Sequence, residues 1–239
     1  MNAFVIADPG MAAALLSRRK SEMRVPAHSP LASVVPGDRI QVREACIPAR
    51  IVGGKLHATT RRRAELVVFA DGWRQHRDGS HERGRRPTDS YSQWLGAMHM
   101  PVWATRLTLA VESARPGRLR EMTRADARAE GVIPSFAGLL WRLPKPIKGH
   151  HLDPRRAFRA HWDLIHAPGD RWDDDPEVVA IGFRVEVERD PNSSPERGGR
   201  WGFGSPPANQ DRVRGARSRP NARASARGGG GPRPASHKR

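Results

Sequence analysis

A single cysteine, Cys46, in 239 residues rules out an internal disulfide and any zinc site built on several thiolates. That scarcity fits a reducing compartment. No apolar run approaches the roughly 20 residues that span a bilayer. The apolar stretch at residues 10–16 follows an acid and precedes Arg18-Arg19-Lys20, which reverses the charge order of a secretory signal. A cytoplasmic protein without a membrane partner is therefore expected. Acids are also scarce, 25 against 42 Lys and Arg, for a formal net charge of +17. Such an excess favours polyanions, nucleic acid foremost, through counterion release and without base preference.

The excess is shared between two unlike regions. Residues 191–239 hold eleven Lys and Arg, two acids, many Gly, Pro and Ser, and almost no aliphatic side chains. They bury too little apolar surface to offset their ordering entropy, so a disordered basic tail is expected. Residues 1–190 keep a charge of +8 and most of the seven Trp, enough for one modest core.

Within 1–190 the pattern alternates between strand and helix signals. Residues 3–6 form a short strand, and Asp8 with Pro9 starts a helix with Met11, Leu15 and Leu16 on one face. The polar run at 18–24 follows, where the helix dipole favours cations. Pro36-Gly37 turns into a strand that places Ile40, Val42 and Glu44 on one face. A carboxylate on an apolar face needs a partner, either Lys20 or an Arg. Residues 58–97 read as a loop-rich insertion around one strand at 65–70, with Arg61-Arg62-Arg63 and the 83–86 run as solvated loops or, as the alternative, phosphate contacts. Leu107, Leu109 and Val111 alternate with Thr108, Ala110 and Glu112, and a turn is expected at Pro116-Gly117. Thr123 with Asp126 resembles a capping box, and Gly131 ends that helix, delivering Glu130 to a defined place. An extended connector over 140–148 leads to a helix begun by Asp153 and Pro154, with Phe158, Trp162 and Ile165 as its stripe. A strand over 179–187 closes the domain.

Metal and nucleotide-loop chemistry find no support in these motifs. His150, His151, His161 and His166 include no pair at the spacing that puts two imidazoles on one helical face. Asp173-Asp174-Asp175 lacks further patterned oxygen ligands. No Gly-Lys-Ser/Thr loop is present. No metal or cofactor is expected.

The segments at 99–106 and 123–131, the latter ending Asp-Ala-Arg-Ala-Glu-Gly, resemble the ASCH domain family of the PUA-like superfamily in its phage and prophage version. Gly37-Asp38, Val42 and Glu44 match a further stretch of that family. Lys20 and Arg24 fall at its hallmark basic loop, where Arg18 replaces the usual Gly. The order of motifs covers most of residues 4–188. The resemblance implies an α+β fold: a small mixed or antiparallel PUA-like β-barrel with two or three helices.

It also implies binding of nucleic acid, RNA above all, or of a nucleotide-like small molecule, in the cytoplasm of a host cell. Lys20, Arg24 and Arg106 would hold a phosphate or base edge, Trp103 would stack, and Glu44 and Glu130 would orient the cations. Without the resemblance Trp103 reads first as a core aromatic, because Trp is usually highly buried. Some relatives hydrolyse acetylated cytidine with the Lys, a Thr three residues later and the helix Glu. Lys20 and Glu130 match, but Met23 stands at the Thr position and has no hydroxyl. Ser21 is shifted by two residues. An amidohydrolase using Lys20 and Glu130, with Ser21 or a water in place of the missing Thr, is thus the alternative, and a non-catalytic phage assembly protein is a third reading.

Overall fold

The computed structural model describes residues 3–87, 93–143 and 148–187. Its first sheet forms where apolar residues recur at every second position. The strands are β1 (Phe4–Ala7), β2 (Glu22–Pro26), β3 (Arg39–Glu44), β9 (Leu107–Arg118) and β12 (Glu177–Val187). They lie in the order β1-β3-β9-β12-β2, with β1 parallel to β3 and the other neighbours antiparallel. Ile40, Val42, Leu107, Leu109, Ile181 and Phe183 supply the buried face, the alternation that the sequence shows. The sheet curls into a half-barrel within a mixed α+β fold that, among the described residues, has mostly strands and three helices.

A second sheet follows at once: β4 (Cys46–Val52), β5 (Lys55–Ala58), β6 (Leu66–Phe69), β7 (Trp73–His76) and β8 (His81–Arg83), in the order β5-β4-β6-β7-β8 and antiparallel throughout. The stretch expected to hold one strand therefore holds three among its described residues, β6 to β8. All four residues of β6 are buried, with Val67 and Phe69 packed in one cluster and Leu66 and Val68 in another. Because β6 is covered on both faces it reads as an unbroken apolar run, and the partners it pairs with are too polar to be recognised beside it.

The helices follow their capping residues. In α1 (Pro9–Leu16) the Asp8 carboxylate accepts from the Met11 amide at 2.8 Å. In α2 (Arg124–Ala129) the Thr123 hydroxyl accepts from the Asp126 amide at 3.1 Å while Asp126 accepts from the Thr123 amide at 2.9 Å, a reciprocal box. In α3 (Pro154–Ile165) Asp153 is the cap, and Phe158 and Trp162 are buried against Met122, Ala127 and Val132. Ile165, expected on that stripe, is 60% exposed.

Two further expectations need correction. The strand β9 runs through Pro116 and Gly117 instead of turning, with Pro116 opposite Val179 of β12. Proline is tolerated there because β3 pairs only with residues 108–110, so this end of β9 has β12 on one side and no partner strand on the other among the described residues. Between the helices, β10 (Ile133–Ser135) and β11 (Leu140–Arg142) form a small hairpin where a connector was expected. All the described residues fall within one compact unit, residues 1–195, and none of their helices is long and apolar enough to cross a membrane. The expected tail at 191–239 lies outside the described residues.

Candidate functional site

The site begins at the C-terminus of α1. Its last carbonyls are taken up by the chain that follows: Arg18 N–H donates to Leu15 O, and Arg19 and Lys20 N–H both donate to Ala14 O. This tight turn requires Arg18 at φ 54°, the left-handed region in which glycine is most at ease. Ser21 then ties the chain to α2 by donating to Ala129 O at 2.9 Å, and its own carbonyl accepts from Phe183 N–H of β12. Lys20 is thus fixed between two helices and a strand.

From the other side α2 ends at Gly131, whose φ of 98° lets the chain turn with Glu130 facing Lys20. Lys20 Nζ donates to Glu130 Oε2 at 2.6 Å and to the Glu130 carbonyl at 3.0 Å. Arg24 of β2 links three carboxylates: Glu22 at 2.6 Å, Asp126 at 3.1 Å and Glu130 at 3.3 Å. Arg115 closes the network on Glu22. Three cations thus meet three anions. Burial pulls the Asp126 carboxyl upward, but its bonds from Thr123 and the charges of Arg24 and Arg115 outweigh that and hold it below its ordinary value.

Lys20, Arg24 and Glu130 form one wall of a pocket of about 320 Å³, with Glu22, Asp126 and Arg115 behind them in the network. Met23, Phe158, Trp162 and Ile165 give it apolar walls, and His161 and His166 face it from α3. The His166 ring stacks on Trp162 at 3.7 Å. Burial, then the charge of Lys20, lowers the pKa of His161, so its imidazole is neutral at pH 7. Its Nδ1 is buried without a hydrogen-bond partner among the described residues.

Of the residues singled out from sequence, Lys20, Arg24 and Glu130 share this pocket, and Met23 lines it with its thioether side chain. Ser21 is exposed, and its hydroxyl bonds to neither Lys20 nor Glu130. Arg18 is exposed and does not fill the pocket. Glu44 and Arg106 lie elsewhere. Arg106 binds Glu44 through two parallel bonds of 2.8 and 2.6 Å, reaches Asp71 at 2.9 Å and packs over the Phe69 ring at 4.1 Å. Glu44 has found its cation in Arg106, not Lys20. The pair lies where β3 passes into β4 and ties the first sheet to the second. Beside it Cys46 is buried, and desolvation, then the Glu44 charge, pushes its thiol up to about 12, so it is inert. Trp103 is half-buried against the second sheet, with Arg77 over its ring at 5.9 Å.

Several contributors had no sequence signal that pointed to the pocket. Glu22 interrupts the apolar alternation of β2, so that strand reads as a polar run. Arg115 and Asp126 look like ordinary surface charges until the register of β9 against β12 and the cap of α2 bring them to Arg24. Only the capped Glu130 and the cations after α1 were legible as site residues. No protein-family model, curated protein or solved structure matches this chain.

Proposed function

We propose that the pocket binds a single planar, polar heterocycle, a nucleobase of RNA or of a modified nucleotide, in an ASCH-like domain whose half-barrel sheet belongs to a PUA-like barrel. The observation that carries this reading is the make-up of the pocket. One wall holds a charge-compensated set of donors and acceptors at Lys20, Arg24 and Glu130, and the other walls are apolar and aromatic. A pocket of about 320 Å³ suits a base or nucleoside. Apolar walls take the faces of a base, while a compensated polar wall reads its edge without demanding a charge. The phage or prophage setting rests on the sequence resemblance alone.

Charge compensation also says which part of a nucleotide the pocket takes. A phosphate would have to displace Glu130 from Lys20 or Glu22 from Arg24, with loss of buried ion pairs. Calorimetric titration of the full-length chain with nucleosides, acetylated cytidine included, and with their 5′-monophosphates tests this. A preferred nucleoside is expected to bind within about threefold of its monophosphate, a difference under 1 kcal/mol. Glu130→Gln should weaken it at least tenfold, about 1.4 kcal/mol. Binding of monophosphates but no nucleoside contradicts the base-edge reading.

The Lys20–Glu130 bond of 2.6 Å favours one second reading, hydrolysis of the acetyl amide of acetylated cytidine. Ser29 supplies the one hydroxyl among the described pocket residues, and its oxygen already accepts from the Leu31 amide. A water would therefore be the nucleophile, with Glu130 taking its proton and passing it to the leaving amine. Release of acetate and cytidine by the wild type, abolished in Glu130→Gln, would establish this reaction. Unaltered acetylcytidine after prolonged incubation excludes it.

A further inference from the structure

We propose that the second sheet carries a separate phosphate-binding surface for single-stranded nucleic acid, centred on Arg61, Arg62, Arg63 and Arg77. Residues 46–87 contain ten Lys and Arg against four acids. The Arg61–Arg63 run is no loose loop. It is a single 3-10 turn pinned by bonds from Arg63 N–H to Thr60 O, Thr59 N–H to Pro48 O and Glu65 N–H to Ala49 O, each 2.9–3.0 Å. Arg77 is fixed beside it by its backbone N–H, which donates to the Glu65 carbonyl at 2.8 Å. Arg62, Arg63 and Arg77 then line an open depression of about 400 Å³.

The state of these charges separates this surface from the pocket. Lys20, Arg24 and Arg106 are each held by carboxylates. Arg61, Arg62, Arg63 and Arg77 have no carboxylate within ion-pair distance among the described residues. The two acids in the depression are engaged by other groups: Asp78 accepts from the amide and hydroxyl of Ser80, and Glu65 from the Ile51 amide. Three exposed guanidinium groups on the pinned turn and that of Arg77 beside it, none in an ion pair among the described residues, gain more from a phosphodiester backbone than cations already paired. The half-buried Trp103 ring under Arg77 adds an aromatic neighbour of the kind that single-strand surfaces use.

The choice of nucleic acid as the polyanion rests on the proposed function; the location of the phosphate contacts does not. The test is fluorescence anisotropy of a labelled single-stranded RNA oligonucleotide with the full-length chain, between about 50 and 200 mM salt. Wild type is compared with R61Q/R62Q/R63Q/R77Q and with R118Q/R124Q/R155Q/R159Q, which removes the same charge from exposed arginines that are ion-paired. Circular dichroism and urea midpoints verify that both variants fold. Each single-strand phosphate contact contributes about 0.7 to the slope of log K against log salt, so losing four should reduce the slope by about 2 to 3 in the first variant. The control should change it by less than 1. The basic tail is common to all three proteins and drops out of the difference. Equal changes in the two variants, or none in the first, overturn the proposal. So does loss of binding to anionic phospholipid vesicles with RNA binding intact. Nucleoside calorimetry on the first variant separates the two readings, because the pocket should still bind there as in wild type.

Discussion

Arg18 shows how a local cost can be read from one torsion. Its φ of 54° is imposed by the turn that caps α1 and aims Lys20, yet its exposed side chain gains nothing visible in return. A left-handed conformation costs a non-glycine residue about 1–2 kcal/mol, while glycine costs about 0.4–1 kcal/mol through the unfolded chain. Arg18→Gly should therefore stabilise the protein by about 0.5–1 kcal/mol in urea unfolding. A destabilised Arg18→Gly protein would mean that the turn is not held as described. Glycine is the residue expected at this place from the resemblance to ASCH domains, so the departure seen in sequence falls on the one position of the turn with positive φ. Glu130 and Lys20 differ in the same calculable way. Lys20→Met leaves Glu130 with Arg24 at 3.3 Å, whereas Glu130→Ala leaves the buried Lys20 without a carboxylate, while Arg24 keeps Glu22 and Asp126. Breaking a buried pair costs about 3–5 kcal/mol, so Glu130→Ala should lie at the upper end and Lys20→Met at or below the lower. Equal losses in the two would show that Arg24 does not share Glu130.

Among the elements, those with clean periodicity were legible and those stabilised by paired charges were not. The caps of α1 and α2 and the alternation in β3, β9 and β12 follow from residue types at fixed offsets. The strand β2 does not: Glu22 and Arg24 pair with each other, but their other partners Arg115, Asp126 and Glu130 are far away in sequence, and only the folded register makes their burial tolerable. The second sheet was missed for a related reason, since β7 and β8 are short, Arg- and His-rich, and recognisable only beside β6. The hinge between the sheets depends on Arg106. Burial alone would lower its affinity for a proton, but Glu44 and Asp71 overcome that and raise its pKa. Arg106→Met would strand both carboxylates and should cost about 3–5 kcal/mol. If the sheets hold together mainly through this group, hydrogen exchange in β4 and β6 should accelerate more than in β9 and β12. Uniform acceleration would show that both sheets unfold as one.

For the whole molecule, the shifted groups set the acid side of stability. His161 is held neutral below its ordinary value of 6.5, so the unfolded chain takes up its proton first and stability declines as pH falls through 6.5. For Asp71 burial acts upward, but the charge and bonds of Arg106 prevail. It and Asp126 lie below their ordinary 3.8, so a second decline begins as pH falls below that value. Urea midpoints against pH should show both limbs, and His161→Gln should flatten the first alone; a first limb that persists in that variant assigns it to another group. The central claim, that the pocket at Lys20, Arg24 and Glu130 takes a base-sized ligand, has a more direct test. Ile165 is an exposed residue that lines the pocket, and its neighbour Leu164 is exposed without lining it. Calorimetric titration of the preferred nucleoside into Ile165→Trp and Leu164→Trp blocks the pocket in one protein and leaves it open in the other, with the ionic network untouched. The account predicts loss of binding in Ile165→Trp and wild-type affinity in Leu164→Trp. Unchanged binding in Ile165→Trp, or no nucleoside binding in the wild type, would contradict it and favour a non-catalytic assembly protein.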